Sequence, residues 1–117
     1  MKLQLARAQA LLNQQRPKTD EAMKILQPLV NRQNAPWPVY HYAGIAFLQK
    51  GEYPIALSFL NEAIKHGGDQ PETFHSISIC YFNLGEYEEA EEYADITLKK
   101  NPEFFKAWLH LGAVYRA

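Results

Sequence analysis

The chain has 117 residues, 47% of them apolar and 21% charged, with a formal net charge of −1. That composition belongs to a folded protein and excludes a disordered tail, while the length allows one ordinary core and excludes a multidomain enzyme. The balanced charge offers no electrostatic footprint for nucleic acid. The longest apolar run, Ala43 to Leu48, is six residues against the roughly 20 that cross a bilayer, so no membrane insertion is expected. The amino-terminal stretch, with Arg7 and several glutamines, lacks the apolar core of about 7 to 15 residues that an export signal needs, which favours the cytoplasm without fixing a compartment.

Apolar spacing and punctuation predict seven helices. The first is expected over 2–14 and the second over 19–32, where Pro28 should kink or split it because it lacks an N–H and clashes with the preceding turn. Asn34-Ala35-Pro36 separates these from a third helix over 37–49, whose Tyr40, Ala43, Gly44 and Phe47 stand at i, i+3, i+4 and i+7 on one face. Gly51 turns the chain into a fourth over 53–66, with Pro54 in its first turn and Ala56, Leu60, Ala63 and Ile64 on one stripe. Gly67-Gly68-Asp69 leads to a fifth over 71–83. It holds the single cysteine, Cys80, which can form no internal disulfide and reads as a small buried residue. In the sixth, over 87–99, acids precede bases: Glu86 to Asp95 holds six of the thirteen carboxylates, and Lys99 and Lys100 follow. That order suits the helix dipole on a solvated face. Asn101-Pro102 precedes a seventh helix over 103–116, where Trp108, Leu111, Gly112 and Tyr115 repeat the stripe of the third.

Laid against itself at an offset of 34 residues, the chain aligns in four columns: Tyr40, Phe74 and Trp108; Gly44, Ser78 and Gly112; Phe47, Tyr81 and Tyr115; and Ala22, Ala56 and Ala90. Side-chain size is shared within each column. Gly51-Glu52-Tyr53 recurs as Gly85-Glu86-Tyr87, and His41 and Ile45 recur as His75 and Ile79. A fixed period of this length marks a repeat architecture in which each helix pair buries its apolar face on its neighbours.

The aromatic-x-x-Leu-Gly-x-x-Tyr of Trp108 to Tyr115, with Gly-x-Tyr-x-x-Ala at Gly51 to Ala56 and Gly85 to Ala90, resembles the tetratricopeptide repeat. The resemblance is good from Trp37 onward and weak over residues 3–36, where it rests on Ala22, Leu26 and Leu29. It implies an all-α, right-handed superhelical solenoid of antiparallel helix pairs: about three and a half units, at 3–36 (divergent), 37–70, 71–104 and 105–117 (partial), in one repeat domain. It also implies a concave groove lined by the first helix of each pair, and a function in holding another protein or peptide.

On that reading the side chains opposite the packing stripe line the groove: Arg7, His41, Ile45, Leu48, His75, Ile79, Phe82, Asn83, Lys106 and Leu109. The surface is more apolar than charged, so the expected ligand is a peptide or helix with apolar anchors, oriented by the polar members. One subset of the family grips acidic chaperone tails with Lys, Asn and Arg at set groove positions. Here those positions hold Leu11, Tyr42, Glu72 and Ser76 beside Arg7, or in the other register His41, Ile45, Ser76, Lys106 and His110. No such clamp is expected.

His41 and His75 have no Cys or carboxylate at ligand spacing, and a zinc site normally uses three or four protein ligands, so no metal is expected. No nucleophile turn, phosphate-binding glycine loop or His-Glu-x-x-His helix is present, so neither enzyme activity nor a cofactor is expected. An alternative places the chain as an assembly or regulatory module of a larger, enzyme-containing protein. At the carboxyl end, the stripe of Trp108, Leu111 and Tyr115 has no second helix to cover it. Two readings follow: a fragment of a longer array, or a homodimer through the uncovered face. Residues 1–36 carry a net charge of +4 and residues 37–117 a net of −5, an asymmetry that could guide one copy onto another.

Overall fold

The computed structural model describes residues 1–14, 18–32 and 34–116. Among them lie seven α-helices and no strand: α1 (Lys2–Leu12), α2 (Thr19–Val30), α3 (Trp37–Gln49), α4 (Tyr53–Lys65), α5 (Pro71–Asn83), α6 (Tyr87–Lys100) and α7 (Phe105–Arg116). Their starts follow the prolines: Pro38, Pro54 and Pro71 stand at the first or second helical position, where a missing N–H costs nothing.

Three helices end in the same way. The N–H of Gly51 bonds to Leu48 O and that of Glu52 to Phe47 O; Gly85 and Glu86 repeat this with Phe82 and Tyr81, and Gly67 and Gly68 with Ile64 and Ala63. This paired closure needs a left-handed residue after the cap, and Gly51, Gly67 and Gly85 supply it at φ of 81°, 94° and 80°. Pro28 does not split α2, which runs through it and stops two residues later. Standing in the last turn with its side chain exposed, it removes a single intrahelical bond.

The chain divides into two compact units, Met1–Gly68 and Asp69–Ala117. In the first unit α1 packs on α2, both pack on α3, and α4 packs on α3. Ala8, Leu12, Ala22, Leu26 and Ala46 form one buried cluster; Leu29, Ala35 and Val39 form another. Gln49 joins three of the helices: its amide donates to Leu12 O at 3.0 Å and its carbonyl accepts from Thr19 Oγ1 at 2.9 Å. Trp37 lies across Gly68, where a Cβ would come within 2.7 Å of the indole.

In the second unit α5 packs on α6, and α7 packs on both. Its interior holds Thr73, Ile77, Ser78, Cys80, Ala90, Ala94, Thr97, Ala107, Leu111 and Val114. Lys100 Nζ reaches Asp69 at 3.6 Å, linking the end of α6 to the approach to α5. The acids of α6 fill its first turn and the lysines its last, as the dipole favours. No helix among the described residues is long and apolar enough to cross a membrane.

Candidate binding surface

The first helices of each unit lie against one another, α1 beside α3 and α5 beside α7.

In the first unit Arg7 is exposed and Leu48 half-buried. Arg7 lines a hollow of about 400 Å³ with Leu11 of α1 and Glu21, Lys24 and Ile25 of α2, so it serves the α1–α2 flank. Ile45 is half-buried, with part of its side chain packed on the cluster around Leu12 and Leu26. In the second unit Ile79 and Phe82 are half-buried, Asn83 and Lys106 exposed, and Leu109 76% exposed. The Asn83 amide donates to Ile79 O at 2.9 Å. Phe82 sits edge-on between Tyr87 and His110, with ring centroids at 5.6 and 5.3 Å. Lys106 borders a hollow of about 420 Å³ with Glu72, Asn101, Glu103, Phe104 and Phe105.

Two members of the expected lining are inside. His41 is 4% exposed and His75 8%, so neither presents a polar face to a ligand. His41 packs edge-on against Trp37 and Tyr42. His75 faces α7, with Phe104 at 5.1 Å and His110 at 5.7 Å between ring centroids. Burial pushes both imidazoles down to about 4, and for His75 the neighbouring His110 and Lys106 add to it. The His75 Nδ1 is buried without a hydrogen-bond partner among the described residues. Leu111, expected on an uncovered face, is buried at 5%, whereas Trp108 and Tyr115 stand out at 55% and 65%.

The structure also holds a polar relay that the repeat pattern did not predict. Ser78 Oγ donates to Ala90 O and lies 2.9 Å from His110 Nε2, joining all three helices of the second unit. Ser78 stands in the glycine column, and that departure was its only sequence signal. No group of three or more metal-binding side chains comes together among the described residues.

No protein-family model matches the sequence. Over 71 residues the chain is 31% identical to Hsp70-Hsp90 organizing protein 2 of Arabidopsis thaliana, covering 61% of this chain and 12% of that protein. Over 98 residues it is 24% identical to the photosystem I assembly protein Ycf3 of Prochlorococcus marinus, covering 81% and 56%. The chain thus spans about half or less of the length of these relatives. Among solved structures, MamA superposes with a TM-score of 0.84 at 20% identity, covering 98% of this chain and 66% of that one. TTC0263, a thermophilic TPR protein of Thermus thermophilus, gives 0.73 at 18%, covering 97% and 59%. The fold is therefore the all-α helical-repeat fold of these proteins.

Proposed function

Starting from a helical-repeat chain of the tetratricopeptide type, we propose that it is a non-catalytic scaffold that holds a peptide or helix of another protein against its first helices. The observation that carries this is that each unit by itself leaves apolar side chains of its first helices incompletely buried: Ile45 and Leu48 in the first unit, Ile79, Phe82 and Leu109 in the second. These would take apolar anchors, since a large side chain transferred from water gains about 1.5–3 kcal/mol. Lys106 and Asn83 would orient the partner. The two histidines contribute shape alone, because they are buried and neutral near pH 7. Relatives named as an organizing protein and an assembly protein support a scaffold over an enzyme.

Leu109→Glu tests the reading, because that side chain is exposed and its replacement leaves the core intact. Wild type and variant, matched in helicity, are immobilised in native lysate, and the retained proteins are identified and then titrated in pure form. A partner bound by wild type and lost by the variant supports the first-helix face. Equal binding by both removes Leu109 from the site and overturns the reading for the second unit.

The relatives also support a second reading, that the chain is one module of a larger assembly factor, since it spans only part of each. The exposure of Trp108 and Tyr115 supports self-association through α7. Light scattering across a wide concentration range tests it, and a constant monomer mass would remove it.

A further inference from the structure

Between α5 and α7 lies a polar cluster that neither the repeat pattern nor the binding face requires. A serine hydroxyl has one proton. That of Ser78 goes to Ala90 O, so Ser78 Oγ accepts from Nε2–H of His110 across 2.9 Å. Neutral His110 therefore uses its single N–H to tie α7 to α5 and, through Ser78, to α6. Its ring packs edge-on with both His75 and Phe82, at 5.7 and 5.3 Å between centroids. His75 packs in turn on Phe104 at 5.1 Å, and its Nδ1 is buried without a hydrogen-bond partner among the described residues.

This seam is built for neutral rings. An imidazolium carries N–H on both nitrogens, so a second proton on His75 would create a buried cation with no acceptor at Nδ1. From α7 the charged or titratable groups facing it are His110 and Lys106, and both oppose its charge. From α6 the seam receives the Ala90 carbonyl through Ser78 and the Tyr87 ring beyond Phe82. The carboxylates of Glu72 and Glu103 line the hollow beside Phe104 and Lys106. Among the described residues the histidine paired with a carboxylate is His66, at the end of α4.

We propose that the α5–α7 seam is an acid-operated latch: proton uptake by His75 and His110 parts the first turns of α7 from α5 and dismantles the second unit's binding face while α5 and α6 stay packed together. The regulatory meaning rests on the reading of the first-helix face as a binding surface, since the two helices joined by the seam carry Phe82, Lys106 and Leu109. In the closed seam His75 resists protonation until about 4, whereas in the open one it returns to the ordinary 6.5. The open form thus takes up the proton first. The latch is fully closed above pH 6.5 and loosens as the pH falls toward 4, the open share rising about thirtyfold between pH 7.5 and pH 5 from His75 alone. His110 adds to this, because burial lowers its value more than the Ser78 bond raises it.

Amide hydrogen exchange of the whole chain, read by mass spectrometry at pH 7.5 and pH 5 and corrected for intrinsic rates, tests the latch. It needs no partner, so its outcome is independent of whether the first-helix face binds one. Peptides covering residues 104–111 should lose protection by about thirtyfold or more on acidification, and those covering residues 90–97 of α6 by no more than about threefold. His75→Phe and His75→Gln cannot titrate, and either one that matches wild type at pH 7.5 should hold its protection at pH 5. His110→Gln still offers Ser78 a donor and should keep the part of the loss due to His75. An unchanged α7 at pH 5, an equal loss in a His75 variant, or an equal loss in α6 overturns the proposal, the last because the second unit would then unfold as a whole.

Discussion

A Cβ on Gly44 would lie 2.7 Å from Cγ of Leu60, so the glycine and the leucine form one packing unit. One repeat later the same two positions hold Ser78 and Ala94: the first helix gains a side chain and the second gives one up. Gly44→Ala should therefore lower stability by about 1–2 kcal/mol, overpacking outweighing the gain in helix propensity. The Gly44→Ser/Leu60→Ala double variant should be more stable than the sum of its singles by about 1 kcal/mol. Gly112→Ala, free of any such neighbour, should raise stability by about 0.5–1 kcal/mol. Denaturant midpoints check all three, and additive singles would show that the two positions are independent.

The buried histidines make the fold sensitive to acid. The unfolded chain takes up protons near the ordinary value of 6.5, whereas folded His75 resists until about 4. The stability that neutral His75 contributes is therefore complete above pH 6.5 and is lost as the pH falls toward 4. His41 acts in the same direction. His75→Phe, which keeps a ring beside Phe104 and His110, should reduce the loss between pH 7 and pH 4.5 by on the order of 2 kcal/mol. Denaturation of both proteins at the two pH values checks this; identical pH profiles would mean that His75 is solvated when folded.

Cys80 belongs to a column occupied by Leu12, Ala46 and Val114, all buried. Burial pushes its thiol up to about 12, so at pH 8 the reactive thiolate is scarce and screened by its neighbours. Its reaction with a disulfide reagent should be slower in the native protein than in denaturant by on the order of a thousandfold. Comparable rates would place the sulfur at the surface.

An acidic chaperone-tail peptide should bind no tighter than millimolar, despite the likeness to an Hsp70-Hsp90 organizing protein. The polar groups needed for a carboxylate clamp are missing or withdrawn: His41 and Ser76 are buried, and Ser76 donates to Glu72 O. Calorimetric titration checks this, and saturable micromolar binding would show that Lys106 and Arg7 suffice.

The helices were legible because their signals are local. Proline in the first turn and glycine after the last act within a few residues, and six of the seven expected starts agree with the structure, the seventh lying two residues off. Pro28 was legible as a defect but not in its effect, which depended on α2 ending two residues later. The lining was legible only in part. Spacing along one helix put His41 and His75 opposite the packing stripe, yet both are buried, and α7 comes to rest against His75 with Phe104 and His110 beside its ring. Leu111 is buried as well, beside Leu98 of α6, while Trp108 and Tyr115 remain in the open.

The sequence by itself therefore determined the helix pairs, their 34-residue period and the small-against-large columns, since these follow from backbone propensity and from spacing along one helix. The tertiary structure decided which faces meet water. It withdrew the histidines from the surface, joined Ser78 to His110, and left Trp108 and Tyr115 of α7 exposed. Burial is set by whichever neighbour arrives from a distant part of the chain, and spacing within a single helix carries no record of that arrival.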